Sequence, residues 1–415
     1  MRSVVVVLSP ALVLAAAAPA EAPPPASQPS TAPPATGTPP VTAGPESSKP
    51  RFALQADKGF FDDPLAFDEG ARRLAVIRTD SASFARIEIL DVEGGGQAQR
   101  SFEIGNPGQS FEQIHFADDG AGIVLVSRDP VSGKRSAQFF DAAGKPAGLA
   151  GPYTEIAPSM LGVKRVLIGV ARKTDAKGST INTLSAHRLD GLARIGKARA
   201  HKLGPQGEIK GHELRALSWF DGFSKAHVLR AGRYDKEKDF RQPDRAAVFD
   251  ALQGTVTSET EIGDVYAFAH VTKLRAERPN RTVFAVLADG ESGLDLVDAG
   301  GARTPLPVAA PFHLYESRSV REQEGPEAGR FYFSLTVDAL NRDAVARQKA
   351  DKPYLDIYAT DLGGKDTAPG TTLRAHIPVD DRPTVWVAGY GRAAVLKKHK
   401  GFSRGGRDLE VHDLK

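Results

Sequence analysis

The sequence predicts an all-β fold: a single β-propeller of seven four-stranded blades, closed by an N-terminal strand that is added to the last blade. Two observations lead to this prediction. From residue 51 onward, short strand-like runs alternate with turns rich in Gly, Asp, Asn and Pro, and no long amphipathic helix pattern occurs among them. The runs also recur in groups at a spacing of about 50 residues, which lies within the range of propeller blades.

The first two groups show the repeated order most clearly. The first reads DPLAFDEG, RRLAVIRTD, FARIEILDVEGG and AQRSFEI, from Asp63 to Ile104. The second repeats it as FEQIHFADDG, GIVLVSRD and RSAQFFDAAGK, from Phe111 to Lys145, so that Gly70 and Gly120 hold equivalent places. Five further groups follow, and together they assign residues 51–415 to one propeller domain.

The last group lacks one strand. It contains PTVWVAGYG, RAAVLKKHK and RDLEVHDLK and then the chain ends. A ring of blades leaves open edges where it closes, and open edges promote aggregation. We therefore expect Arg51–Ala56 (RFALQA) to add as the outer strand of the last blade. A ring of six or eight blades, a β-sandwich, or two smaller β domains are the alternatives.

The strand–turn–strand pattern resembles a known repeat. Phe67-Asp68-Glu69-Gly70 followed by Arg73–Val76, and Phe116–Gly120 followed by Ile123–Leu125, are similar to the TolB-type, WD40-like repeat, in which an Asp–Gly turn joins two strands. The resemblance covers about residues 63–145. It implies a blade, and it implies a binding or scaffold role of the kind that periplasmic propellers have. It implies no catalytic activity.

The N-terminus has the pattern of an export signal. Met1-Arg2 precedes an apolar run that ends near Ala18-Pro19-Ala20, an A-x-A cleavage site. Residues 1–20 are predicted to be a signal peptide, with an uncleaved anchor as the alternative. Residues 21–50 read as a disordered Pro-rich linker. We expect an exported bacterial protein, periplasmic or extracellular, whose mature part is monomeric and does not span a membrane.

The sequence contains no recognisable catalytic, metal or cofactor motif. It has no cysteine, and its ten histidines show no zinc-site spacing. No nucleophile elbow or P-loop occurs. The acidic pairs Asp62-Asp63 and Asp380-Asp381 stand where blades begin and are interpreted as solvated turn residues. The expectation is a non-catalytic protein without cofactor; the alternative is a hydrolase or lyase with its site in the central channel.

Charge indicates where binding would occur. In a propeller, the loops between the second and third strands of every blade emerge on one face. All of these loops except 289–291 are net positive, although the chain carries a net charge of only +3. Such a face favours an anionic protein or cell-envelope component; nucleic acid is not expected, because of the export signal and the lack of interleaved aromatics. Alternatively, the charge only maintains solubility. The candidate binding residues are Lys134, Arg135, Lys173, Lys177, Arg233, Lys236, Arg241, Arg245, Lys397, Lys398, Lys400, Arg404 and Arg407.

Overall fold

The computed structural model describes residues 47–414 with internal gaps. The gaps are 57–58, 81–83, 106–109, 119, 162–163, 175, 177–179, 204–211, 221–224, 233, 236–239, 242, 251–254, 264, 272–280, 288–293, 299–302, 307–329, 337–353, 362–369, 380–384 and 400–405. The predicted signal peptide and nearly all of the predicted linker lie outside the described residues.

The described residues form antiparallel sheets, and their strands follow one another along the chain. After β1 (Phe52–Leu54), the first three sheets are formed in order by β2 (Phe60–Phe67), β3 (Arg73–Thr79), β4 (Ala85–Asp91), β5 (Gln97–Gly105); β6 (Ser110–Phe116), β7 (Ile123–Arg128), β8 (Arg135–Phe140), β9 (Pro146–Tyr153); and β10 (Glu155–Leu161), β11 (Lys164–Thr174), β12 (Thr180–Arg188), β13 (Arg194–Leu203).

The second half of the chain continues this order. The fourth sheet contains β14 (His212–Phe220), β15 (Lys225–Gly232), β18 (Asp244–Asp250), β19 (Thr255–Gly263), with a small hairpin, β16 (Tyr234–Asp235) and β17 (Phe240–Arg241), between β15 and β18. The remaining strands are β20 (Val265–Val271), β21 (Arg281–Leu287), β22 (Leu294–Asp298), β23 (Arg303–Leu306) in the fifth sheet; β24 (Arg330–Thr336), β25 (Tyr354–Asp361), β26 (Gly370–Pro378) in the sixth; and β27 (Val385–Gly389), β28 (Arg392–Lys398), β29 (Arg407–Asp413) in the last.

Two of these sheets differ from the expected four consecutive strands. The sixth sheet has three described strands, and the strand that the sequence predicts before them, at residues 312–319, lies outside the described residues. The loop at 230–245, which the sequence indicated only as a long charged loop, contains the hairpin β16–β17. Arg241, one of the candidate binding residues, lies in this hairpin.

The last sheet includes the predicted N-terminal strand. β1 pairs antiparallel with β29, with Phe52 opposite Val411 and Leu54 opposite Leu409, so the order of the sheet is β1-β29-β28-β27. Just before β1, the backbone NH of Ser48 donates to the carbonyl of His376 at the edge of β26. Residues 48–54 therefore pair with β29 of the last sheet and also contact β26 of the sixth.

The central strands β3 and β7 are mainly apolar because the first and second sheets are covered on both faces. In β3, Leu74 and Val76 pack with residues of the last sheet, such as Leu396, whereas Ala75 and Ile77 pack with residues of the second sheet, such as Ile114. Similar clusters join the second sheet to the third and the sixth to the last. The core is thus divided among the spaces between neighbouring sheets.

The turns between the first and second strands have the geometry that their residue types predict. Asp68 accepts hydrogen bonds from the backbone NH and the guanidinium of Arg73, at 2.8 and 2.7 Å. Gly70 and Gly120 both adopt positive φ, at 83° and 64°. This conformation favours glycine, so the repeated Asp–Gly pattern of the sequence has a local structural cause.

Candidate functional site

We call the side of the sheets onto which the second-to-third-strand loops open the loop face. It is defined by the connections β3–β4, β7–β8, β11–β12, β15–β18 and β28–β29. Of the predicted binding residues, Lys134, Arg135, Lys173, Arg241, Arg245, Lys397, Lys398 and Arg407 lie within the described part of the chain and at these connections. Lys177, Arg233, Lys236, Lys400 and Arg404 lie outside the described residues.

Two of the predicted cations are neutralised by carboxylates of the first strands of sheets. The guanidinium Nε of Arg135 lies 2.5 Å from Glu112 in β6, and a further nitrogen of Arg135 donates to the carbonyl of Thr154. Arg407 contacts Asp62 at 2.7 Å and Asp63 at 3.2 Å, both in β2. These cations are held by the fold itself and are less able to attract a partner.

Two others pair with glutamates of neighbouring strands in their own sheets. Lys397 lies 2.5 Å from Glu410 and also donates to the carbonyl of Pro378 in the sixth sheet. Arg245 lies 3.8 Å from both Glu259 and Glu261. The acidic partners of all four cations occupy the same side of the sheets as the basic loops, so the loop face is less uniformly basic than the loop sequences indicate.

A smaller group of cations on the loop face forms no ion pair within the described part of the chain. Arg128, Lys134 and Lys173 are exposed, and no carboxylate of the described residues forms an ion pair with any of them. They come from two neighbouring sheets, at the connections β7–β8 and β11–β12. We call these three residues the open basic cluster.

The β7–β8 loop that presents two of them is a fixed turn. The carboxylate of Asp129 accepts hydrogen bonds from the backbone NH groups of Val131 and Ser132, at 2.9 and 2.6 Å. The backbone NH of Asp129 donates to the carbonyl of Lys134, and the NH of Gly133, at φ 67°, donates to the carbonyl of Asp129. The hydrogen bonds from Ser132 and Val131 lower the pKa of Asp129, which stays ionised. These hydrogen bonds define the shape of the β7–β8 turn.

The acidic pair Asp62-Asp63 was interpreted from the sequence as solvated turn residues, and this was wrong. Both residues lie in β2, at an irregularity where the register shifts between Asp62 and Leu65. Burial, together with the side-chain hydrogen bond between the carboxyl groups of Asp62 and Asp63, raises the pKa of Asp62 to about 6 in spite of the opposing charge of Arg407. Asp380 and Asp381 lie outside the described residues.

The sequence patterns gave no role to Glu112 and a wrong one to Asp62. Both residues hold the same place in the first two repeats, with the same separation as Gly70 and Gly120. An acidic residue near the start of the first strand in both repeats was the pattern that could have indicated a shared role. It could not reveal the partner, because Arg407 is 345 residues away from Asp62 along the chain.

His187 and His115 are two of the described histidines whose rings contact other groups of the fold. The Nδ1 of His187 lies 2.9 Å from the carbonyl of Leu192 and its Nε2 lies 2.6 Å from the hydroxyl of Tyr153, so both ring nitrogens are used. Desolvation, followed by the charge of Arg165, lowers the pKa of His115 to about 4. The Nε2 of His115 lies 3.1 Å from the side-chain oxygen of Gln113.

The raised pKa of Asp62 predicts a pH effect on stability. An unfolded chain binds the proton of Asp62 with a pKa near 3.8, the folded one with a pKa of about 6. The protonated form therefore stabilises the fold below about pH 4, and this contribution is lost as the pH rises through about 6. Because the side chain is 38% exposed and solvent screens its interactions, we expect this contribution to the free energy of unfolding to be about 1 kcal/mol, less than the full pKa shift would give.

The measurement is the thermal unfolding midpoint of the wild type and of Asp62→Asn at pH 4 and pH 7. The variant should gain stability relative to the wild type on going from the lower to the higher pH. Taking the difference between the two proteins removes the contributions of all other carboxylates. Parallel pH profiles would contradict the assigned environment of Asp62.

Sheets of four antiparallel strands that succeed one another along the chain and pack face to face define the β-propeller class of fold. Among the residues that the structure describes, no group of three or more His, Asp or Glu side chains is placed to hold a metal ion. In the same residues, no helix is long and apolar enough to cross a bilayer.

Comparison with known proteins gives similarity at the level of structure. No protein-family model matches the chain, and no curated protein matches it in sequence. Solved structures that match include the β-propeller domain of the Trilobed protease from Pyrococcus furiosus, described as having an open velcro topology: 12% identity over 86% of this chain and 96% of that one, with a TM-score of 0.47. The WD40 domain of Toxoplasma gondii coronin matches with 10% identity over 89% and 88% of the two chains and a TM-score of 0.45.

Proposed function

We propose that the chain is an exported, non-catalytic binding protein that engages an anionic protein or cell-envelope component through its loop face. The open basic cluster is the observation on which the proposal rests. Arg128, Lys134 and Lys173 are exposed cations without ion-pair partners among the described residues, on neighbouring sheets, and the β7–β8 turn is already ordered. Unpaired charge on a preformed surface attracts an oppositely charged partner at little conformational cost.

The scaffold for this surface is proposed to be a closed ring of seven blades with a TolB-like repeat. Support comes from the cluster in which Phe61 and Leu74 of the first sheet pack against Leu396 and Val411 of the last. In addition, the guanidinium of Arg392 in β28 donates to the carbonyl of Ala71, just before β3. A closed ring would fix the loops of all blades in one surface.

Export and localisation in the periplasm or outside the cell are proposed from the N-terminal pattern alone. The Pro-rich residues 21–50 would then form an N-terminal extension ahead of the propeller; if the signal segment instead stays as an anchor, they would act as a spacer between the membrane and the propeller. Cleavage after Ala20 can be checked by N-terminal sequencing of the secreted protein.

The experiment that tests the binding role uses charge reversal. The triple variant Arg128→Glu/Lys134→Glu/Lys173→Glu should bind immobilised poly-L-glutamate or a sulfated polysaccharide about tenfold more weakly than the wild type, and wild-type binding should weaken with salt. Lys145→Glu is the matched control, because Lys145 is an exposed lysine of the same sheet in the β8–β9 turn, on the opposite side. Equal binding of the triple variant and the wild type would show that the cluster does not bind anions.

A second candidate function, a hydrolase or lyase in the central channel, has one observation in its favour. Asp62, with a pKa of about 6, adjoins Asp63 on the first strand of the first sheet, and first strands line the channel of a propeller. A carboxyl group with a pKa raised to about 6 is partly protonated in weakly acidic solution and can then act as a general acid. Hydrolysis of glycoside or ester substrates that is lost in Asp62→Asn, with unchanged polyanion binding, would favour this alternative.

A further inference from the structure

Exposed apolar side chains accompany the open basic cluster. Three large hydrophobic residues are conspicuously exposed among the described residues: Phe84 at 61%, Val131 at 95% and Leu149 at 72%. Phe84 and Val131 lie in the β3–β4 and β7–β8 connections, so they project from the loop face of two neighbouring sheets. Leu149 lies elsewhere, on the outer strand β9.

Hydrogen bonds hold the backbone at Val131 and at Phe84. The NH of Val131 donates to the carboxylate of Asp129, which fixes the turn under the exposed side chain. The carbonyl of Phe84 accepts a hydrogen bond from the NH of Asp80, at 3.1 Å. Val131 is thus exposed from a hydrogen-bonded turn, and Phe84 is exposed beside the hydrogen bond that joins the end of β3 to the start of β4.

The charges beside Val131 are two exposed cations and the carboxylate of Asp129, whereas the charges beside Phe84 are paired. Arg128 and Lys134 flank Val131 at the two ends of its loop, and Lys173 extends the positive surface to the next sheet. Beside Phe84, Arg86 forms ion pairs with Asp80 and Glu88, at 3.3 and 3.0 Å, so this loop contributes little net charge. The combination is an exposed apolar side chain, Val131, beside cations that form no ion pair with the residues that the structure describes.

We propose that the anionic partner of the loop face is a phospholipid bilayer, into whose headgroup region Phe84 and Val131 insert while the open basic cluster binds lipid phosphates. This inference rests on the proposed function and names its partner. Apolar side chains that sink into the boundary of headgroups and acyl chains, combined with basic residues that attract anionic lipids, are the two contributions that peripheral membrane binding requires.

A bilayer fits the geometry better than an acidic protein does. A stable protein interface requires a continuous complementary surface with an apolar centre. Here the apolar residues are separate protrusions, each from its own loop, on a mainly polar face. A fluid bilayer adapts to separate protrusions that lie in one surface, whereas a protein partner would need a matching pocket for each.

The test uses the chain without residues 1–20, so that the apolar signal segment cannot bind lipid. All described strands lie in the compact unit Pro45–Lys415. The probes are sedimenting vesicles of phosphatidylcholine alone and of phosphatidylcholine mixed equally with phosphatidylglycerol. The wild type should bind the anionic vesicles and not the neutral ones.

The decisive variants separate insertion from charge. Phe84→Ser/Val131→Ser should weaken binding to the anionic vesicles about tenfold while leaving poly-L-glutamate binding unchanged. Leu149→Ser, which removes an exposed apolar side chain away from the loop face, should change neither the binding to vesicles nor the binding to poly-L-glutamate. Unaltered thermal unfolding midpoints show that the variants are folded, as expected for exposed positions.

Insertion is also visible by fluorescence. In Val131→Trp, the added indole should shift its emission to the blue when anionic vesicles are added, and the same substitution at Leu149 should show no shift. If the serine variant binds vesicles as well as the wild type, or the indole at position 131 stays in water, the bilayer proposal is wrong. If the wild type binds poly-L-glutamate but no vesicles, the partner is a soluble polyanion or acidic protein; if it binds neither, the proposed function also fails.

Discussion

Replacing Phe52 and Leu54 together by Asp is expected to lower the free energy of unfolding by about 4 kcal/mol. Both side chains are partly buried against the cluster that joins the first and last sheets. The ring of Phe52 also covers Gly96, where a Cβ atom would meet the ring at 2.6 Å. The substitution removes this apolar burial and places two carboxylates against the core.

Deletion of residues 51–56 should also lower the free energy of unfolding, and it should promote association between copies of the chain. It uncovers the edge of β29 and removes the hydrogen bond from the NH of Ala56 to the carboxylate of Asp408. Open strand edges pair with other chains.

Denaturant unfolding of the two variants measures the effect, and light scattering measures association. Deletion of residues 21–46, which removes the predicted spacer but keeps Ser48 and β1, is the control and should leave the midpoint unchanged. A midpoint that is equally insensitive to both deletions would mean that β1 is not needed to complete the last sheet.

Phe61→Ala is expected to cost about 3–5 kcal/mol, the largest effect of any single substitution proposed for this chain. The Phe61 side chain is fully buried between the first and last sheets, and the guanidinium of Arg78 lies 5.1 Å from its ring centroid. Truncation leaves a cavity where two distant parts of the chain meet. The loss would therefore report on the contact that is proposed to close the ring.

Phe84→Ala is the matched control within the same sheet. Because Phe84 is 61% exposed, its truncation should change the free energy of unfolding by less than about 0.5 kcal/mol. Chemical denaturation measures the loss of stability in each variant. The two losses can be compared directly when the unfolding free energy depends equally steeply on denaturant concentration in both variants. Similar costs for Phe61 and Phe84 would argue against packing of the first sheet on the last.

Much of the fold could be predicted from local sequence patterns. The apolar runs of β3 and β7 and the Asp–Gly turns before them are determined by neighbouring residues, and the four-stranded antiparallel sheets follow the predicted order. The strand at Phe52–Leu54 was predicted from the incomplete last repeat. Seven blades, ring closure and the TolB-like type remain proposals, as do the signal peptide, export and the anionic partner.

The sequence by itself determined the strand periodicity, the repeated turns and the list of cations at the loops, because each depends on residues close together in the chain. Only the tertiary structure decided which cations remain unpaired. Arg407 is neutralised by Asp62 and Asp63 from the opposite end of the chain, whereas Lys134 has no such partner among the described residues. Charge at a surface is set by neighbours in space, and folding brings those neighbours together from strands that are far apart in sequence.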